Sequence, residues 1–266
     1  MSIVIITYLL VGAVAGVLAG LLGIGGGLVI VPMLDFCMTR EGMGREVIMH
    51  LALGTSMASI IFTSVSSCWA HHQRGAVHWS VVRRITPGVL MGTFLGSFIA
   101  AWMPASILKG FFVLFLYYVA LQMLMDRRPK PSRELPGVFG MFGVGSGIGV
   151  VSSLVGIGGG TLSVPFMVWC DLALHQAIGT SAAIGFPIAL SGTVGYLING
   201  WGGAGLPPYT AGYIYLPALA GIVGASVLTA PIGVRLAHSL PVARMKRVFA
   251  ALLILVGTRM LASLIS

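Results

Sequence analysis

Charge is what this sequence has least of. Only 8% of its 266 residues are Asp, Glu, Lys or Arg, against roughly 25% in soluble globular domains. Six carboxylates and fifteen basic groups cannot cover a water-soluble globule of this size. Cysteine is scarce too. The three present lie in or beside apolar segments, which makes neither a disulfide framework nor a metal-ligand pattern, and no metal or cofactor is expected. There is no H-E-x-x-H, no G-x-S-x-G and no pair of carboxylates within the apolar runs, so an enzyme embedded in a membrane is disfavoured. The formal charge of +9 comes without interleaved aromatic and basic residues, so it does not read as a nucleic-acid surface. It reads as loop Lys and Arg that set orientation in a membrane.

What is present is apolar sequence, 57% of the chain. Runs long enough to cross roughly 30 Å of hydrocarbon recur. They fall at about 2–22, 24–38, 47–70, 81–103, 107–125, 135–155, 157–171, 176–200, 210–237 and 243–264. The expectation is an all-α polytopic membrane protein. The N-terminal MSIVIITYLLVGAVAG has no basic n-region and reads as a retained helix. The segments at 24–38 and 157–171 are too short for ordinary spans and read as broken helices or the second arms of helical hairpins.

Those two short segments open alike. Residues 20–32 are GLLGIGGGLVIVP and residues 153–165 are SLVGIGGGTLSVP. Gly23, Gly25, Gly26, Gly27, Pro32 and Cys37 match Gly156, Gly158, Gly159, Gly160, Pro165 and Cys170 at one constant offset. HLALGTS at 50–56 answers HQAIGTS at 175–181, Pro87 answers Pro217, and Lys109 and Lys246 open the last helix of each half. The charged linker DRRPKPSRE at 126–134 separates a first repeat, 1–125, from a second, 135–266. With the linker in the cytoplasm, most loop Arg and Lys fall on that side and only Arg40, Arg45, Lys109 and Arg259 outside, so both termini are predicted outside. Five segments per half make the repeats inverted, and all five tryptophans stand near segment ends. Inverted repeats with matched glycine-interrupted segments point to a secondary transporter.

GIGGG is neither G-x-G-x-x-G nor a P-loop, and no βαβ unit surrounds it. Two readings remain for the turns. Glycines let membrane helices approach closely. They also let backbone N–H groups meet a ligand at a helix start, where the dipole supplies about half a positive charge. Duplication at matched places of an inverted repeat favours the second: a small-anion site built from Gly23, Gly25, Gly26, Gly27, Gly156, Gly158, Gly159 and Gly160. A side chain at Gly26 or Gly159 would, on this reading, fill the anion's place.

The duplicated GIGGG-x4-P element with the later GTS resembles the sulfite exporter TauE/SafE family, over essentially the whole chain. The resemblance implies transport of small sulfur-containing anions, such as sulfite or organosulfonates, across the bacterial inner membrane. Thr55, Ser56, Thr180 and Ser181 are candidates to complete the anion's coordination, with interhelical hydrogen bonding as the alternative. His50 and His175, each one helical turn before the glycine of its GTS element, are candidates for gating or proton coupling. So are Asp35 and Asp171, which are not strict repeat equivalents. Cys37 and Cys170 read as packing. The loop NGWGGAGLPPY at 199–209 reads as an ordered turn or lid, or a simple connection. The rival to a carrier is an anion channel, or a transporter for another small organic anion. No ATP-binding sequence is present, so transport would draw on an ion gradient, the membrane potential or the substrate's own gradient.

Overall fold

The computed structural model describes residues 2–22, 25–125, 134–203, 205–239 and 242–265. Ten helices run through them: α1 (Ser2–Leu22), α2 (Gly27–Arg40), α3 (Arg45–His72), α4 (Trp79–Trp102), α5 (Ala105–Met125), α6 (Val138–Val155), α7 (Gly160–Trp169), α8 (Leu174–Gly200), α9 (Leu216–Ser239) and α10 (Val242–Ile265). Each matches one of the apolar runs, with one correction. The run beginning at 210 is not helical throughout: β1 (Thr210–Ala211) and β2 (Ile214–Tyr215) form an antiparallel hairpin before α9 starts. Of the linker 126–134, only Glu134 lies within the described residues.

Among the described residues, seven helices are long and apolar enough to cross a membrane; α1, over Ile6–Leu21, and α7 are shorter apolar helices. Large apolar side chains such as Leu10, Leu114, Leu228 and Leu255 face outward, which water would not tolerate in such number and lipid does. Trp69, Trp79, Trp102, Trp169 and Trp201 are exposed at or beside helix ends, where amphipathic rings favour the headgroup zone.

α3 and α8 are the most buried of the long helices and pack on each other at the centre. Around them α1 pairs with α9, α4 with α6, and α5 with α10. Two of those pairs are made by glycines four residues apart. On α1, Gly12, Gly16 and Gly20 lie against Ile222, Ser226 and Ala230 of α9; on α4, Gly88, Gly92 and Gly96 lie against Phe142, Ser146 and Val150 of α6. Residue numbers rise together in both pairs, so each pair is parallel. With hydrocarbon outside, apolar side chains gain nothing by leaving it for one another, and close backbone approach over small residues becomes the source of helix association.

The two ends of the bundle differ. At one end Tyr8 Oη donates to Glu41 Oε1 at 2.6 Å and the hairpin's Tyr215 Oη reaches Glu41 Oε2 at 3.4 Å. Burial and the Glu41 carboxylate both push the Tyr215 phenol above its ordinary pKa, which keeps it a neutral donor. At the other end His71 Nε2 sits 3.1 Å from the Gly20 carbonyl, and the His72 ring meets Trp69 at a tilt and Trp79 edge-on where α3 turns into α4.

A side chain at Gly92 would fall on the backbone of Ser146, whereas one at Gly147 meets nothing within 4 Å. Gly92→Val should therefore cost about 1–3 kcal/mol through overpacking and lower the thermal midpoint in detergent. Gly147→Val should leave that midpoint unchanged.

Candidate functional site

α2 and α7 both begin without a side-chain cap. Gly26, at φ 79°, and Gly159, at φ 77°, stand at their N-caps in the left-handed region that glycine adopts freely. The Gly26 carbonyl accepts from Val29 and Ile30, and the Gly159 carbonyl from Leu162 and Ser163. The N–H groups ahead of these, on Gly27, Leu28, Gly160 and Thr161, form the positive ends of the two helices. Gly23 lies outside the described residues.

The two turns meet. A Cβ on Gly25 would lie 3.2 Å from the Gly158 Cα and 3.3 Å from its nitrogen, and one on Gly27 would fall on the Gly156 carbonyl and 3.0 Å from the Ile157 Cα. The first turn thus presses backbone to backbone on the second, deep in the bundle. Beside this contact lies a small cavity lined by Ala19, Gly25, Thr63, Ser64, Ser67, Ala182 and Gly185. Its volume of ≈ 10 Å³ is space for about one water molecule. Thr63 Oγ1 pairs with Ser226 Oγ of α9 at 3.0 Å, and Ser64 Oγ donates to the Ile61 carbonyl. Ser67 Oγ, in a residue 2% exposed, has no hydrogen-bond partner among the described residues. Around Gly159, the hydroxyls of Ser152, Thr161 and Ser163 are likewise buried without partners there. Buried hydroxyls are normally satisfied, so a group of orphans marks a place for a ligand or water.

A larger cleft, ≈ 1280 Å³, opens between α3, α4, α8 and α9, but its walls are mainly apolar, with Phe62, Trp69, Phe186 and Leu190 among them. An anion would find few donors there, so the hydroxyl-lined cavity is the candidate site. The sequence reading missed Thr63, Ser64 and Ser67. Their signal was the i, i+4 spacing of Ser59, Thr63 and Ser67, which places three hydroxyls on one face of α3.

The GTS elements turn out to have partners of their own. A Cβ on Gly54 would fall on the Tyr213 carbonyl, and one on Gly179 would lie 2.5 Å from the Ala76 carbonyl. Two residues along each of those stretches of backbone, the Tyr215 N–H donates to Thr55 Oγ1 and the His78 N–H to Thr180 Oγ1, both at 2.9 Å. Ser56 Oγ donates to the Gly156 carbonyl of the opposite glycine turn at 2.8 Å. Ser181 is buried and also engaged. Glycine admits the connecting segment, threonine fixes it, and serine ties the far turn. These hydroxyls hold the frame around the site and do not line the cavity.

Two sequence expectations change at the glycines and prolines. Space beside Gly26 belongs to Ala15, whose carbonyl would lie 2.8 Å from an added Cβ, and space beside Gly159 to Ile188 Cδ1 at 2.5 Å. A side chain at either would strain the backbone and displace protein, so a valine there tests folding and not anion binding. Pro87 does not answer Pro217, because Pro87 sits well inside α4 and Pro217 in the first turn of α9.

The gating candidates separate. His50 is buried, with Nε2 3.1 Å from the Ala100 carbonyl and its ring stacked on Tyr213 at 5.0 Å. His175 is exposed at the start of α8, and Asp171 is exposed in the turn before it at φ 65°. Asp35 is buried, and Lys109 Nζ donates to its two carboxylate oxygens at 2.9 and 2.8 Å. None of these four lines the cavity. Cys37 and Cys170 are buried and form no disulfide.

Replacing either threonine removes the acceptor of a backbone N–H. Thr55→Val and Thr180→Val should each lower stability by about 1–3 kcal/mol, with Thr→Ser retaining it, in detergent thermal melts. Lys109→Met leaves the Asp35 carboxylate buried and alone and should cost about 3 kcal/mol. The Asp35→Leu/Lys109→Met double variant should recover most of that loss.

The sequence model of the family described as Sulfite exporter TauE/SafE matches residues 8–260. A "Probable membrane transporter protein" of Haemophilus influenzae is 38% identical over 258 residues, covering 96% of this chain and 97% of that protein. The "Probable membrane transporter protein YunE" of Bacillus subtilis is 29% identical, covering 75% of this chain and 80% of its own length. A similarly named protein of Methanocaldococcus jannaschii is 28% identical, covering 84% and 80%. No solved structure matches. With ten packed helices, an outward apolar surface and these relatives, the chain belongs to the sulfite exporter TauE/SafE family, a multi-pass membrane transporter and not an enzyme.

Proposed function

We propose that the chain is a secondary transporter of small sulfur oxyanions, working by alternating access between two inverted halves, 1–125 and 135–266. The observation that carries the reading is the meeting of the two glycine turns beside a cavity lined by an unpartnered buried hydroxyl, that of Ser67. Backbone N–H groups of the turns and the hydroxyls of Thr63, Ser64 and Ser67 would hold the anion's oxygens.

The packing supports the inverted repeat. Exchange of α1–α5 with α6–α10 maps the α1·α9 pair onto α6·α4 and maps α3·α8 and α5·α10 onto themselves. It also maps the Thr55–Tyr215 bond onto the Thr180–His78 bond. A cavity for one water is too small for an oxyanion, so the turns or the helices beside them must part for substrate to enter. That favours a carrier over an open channel.

Orientation and direction follow from charge. Arg74, Arg83 and Arg84 are exposed at the His71 end of the bundle. Placing that end in the cytoplasm obeys the positive-inside rule and puts both termini outside the inner membrane. With the interior negative, outward passage of a monoanion is downhill by about 2.3 kcal/mol per 100 mV, which favours export.

Ser67→Ala removes a hydroxyl that bonds nothing among the described residues. Binding of sulfite, titrated by calorimetry with purified protein, should weaken about tenfold, while the thermal midpoint stays put. Unchanged affinity would remove the cavity from the proposal. In proteoliposomes, internal sulfite should stimulate uptake of labelled external sulfite; a channel gives no such trans-stimulation.

A further inference from the structure

We infer that the cavity admits singly charged oxyanions and rejects doubly charged ones, a selectivity that rests on the glycine-turn site proposed above: hydrogen sulfite and monoanionic organosulfonates would bind, and the sulfite dianion, sulfate and carboxylate-bearing sulfonates would not. The ground is the charge inventory of the surrounding elements. α1 contributes Ala19, the first glycine turn Gly25, α3 Thr63, Ser64 and Ser67, and α8 Ala182 and Gly185. From α9 the facing group is Ser226, bonded to Thr63. None of these carries a charge. The next titratable side chain along α3 is His71, one turn past Ser67, with Nε2 at the Gly20 carbonyl. Among the described residues the other buried His, Asp, Glu, Lys or Arg side chains are His50, packed on Tyr213, and Asp35, held by Lys109.

Compensation for an anion therefore comes from dipoles alone. The α2 N-terminus, whose turn supplies Gly25 to the lining, brings about half a positive charge; the α7 N-terminus lies behind the Gly158 contact, and the hydroxyls add directional bonds. A monoanion is largely compensated. A dianion keeps about one further unit of uncompensated charge, and its Born cost of leaving water is about four times larger, because that cost grows with the square of the charge. With no Arg or Lys at the cavity, nothing offsets the difference.

The chemistry of sulfite then sets a pH dependence that belongs to the ligand. Sulfite exchanges a proton near neutral pH, whereas an alkyl sulfonate stays a monoanion throughout. Hydrogen sulfite would carry its own proton through the membrane, with no carboxylate of the protein needed as a relay.

The test is calorimetry on the purified full-length chain with methanesulfonate, sulfite and sulfate, each over a pH series. Methanesulfonate affinity should be flat with pH, sulfate should bind about a hundredfold more weakly, and apparent affinity for total sulfite should fall about tenfold for each pH unit above the point where hydrogen sulfite becomes the minor species. Ser67→Ala should weaken methanesulfonate and hydrogen sulfite alike without changing the pH slope for sulfite. Sulfate or high-pH sulfite binding within about tenfold of methanesulfonate would overturn the charge selectivity while leaving the site standing. A parallel fall for methanesulfonate would assign the pH dependence to the protein, with His71→Gln as the check, and would overturn the ligand-based account. Binding of none of the three by folded protein would overturn the glycine-turn site itself, and this selectivity with it.

Discussion

A helix that begins part-way across a bilayer exposes backbone donors where there is no water to meet them. α2 and α7 begin at buried glycine turns inside the bundle, and the rest of the architecture answers that constraint. Irregular backbone at such depth survives only when protein encloses it or when it borders a polar cavity. Here it does both: the turns press on each other through Gly25, Gly27, Gly156 and Gly158, and the remaining side of Gly25 faces the hydroxyls of α3. Ser56 reaches the Gly156 carbonyl from α3, so the central helix of one half holds the turn of the other. Parting the turns uncovers those groups, which then need a ligand, water or hydroxyls to meet them.

The same constraint explains where glycine is spent. Turn glycines are needed for left-handed φ at Gly26 and Gly159, whereas those on α1 and α4 are needed for closeness, letting α9 and α6 approach until backbone meets backbone. Close pairs of this kind are stiff along their length. Each pair joins one helix of 1–125 to one of 135–266, so on the proposed alternating access the bodies that rock would be these two arms about the central α3–α8 pair.

Much of the fold was legible because hydrophobic length is a strong signal in a membrane protein. All ten segments became helices, and the short ones were recognised from their length and their opening glycines. The hairpin at Thr210–Tyr215 was hidden inside apolar sequence, since Ile214 and Tyr215 read equally well as the start of a helix. At the site, the sequence located the glycine turns but could not say what stood beside them. Gly26 and Gly159 looked open to a ligand, yet Ala15 and Ile188 occupy that space. The GTS elements stood out by repetition, and repetition reflects the frame as readily as the site. Thr55 and Thr180 proved to be acceptors for connecting segments far away in sequence, which no local pattern reveals. His50 and His175 matched in sequence but not in burial, because only His50 has a hairpin, with Tyr213, folded over it.

On the proposed reading, an anion site without a fixed cation has a consequence for turnover. A buried Arg or Lys facing the cavity would hold an anion strongly, but it would itself be left bare and costly each time the site emptied. Helix dipoles and hydroxyls cost far less to leave vacant, because their charges are partial and the turns can close on one another. A carrier must return empty, or return with a different ion, as often as it moves loaded. The small cavity beside Gly25 fits that need: empty, the two turns rest in contact; loaded, they would be held apart by an anion whose oxygens take the place of that contact. The weakness of each donor is then what lets the substrate leave on the other side.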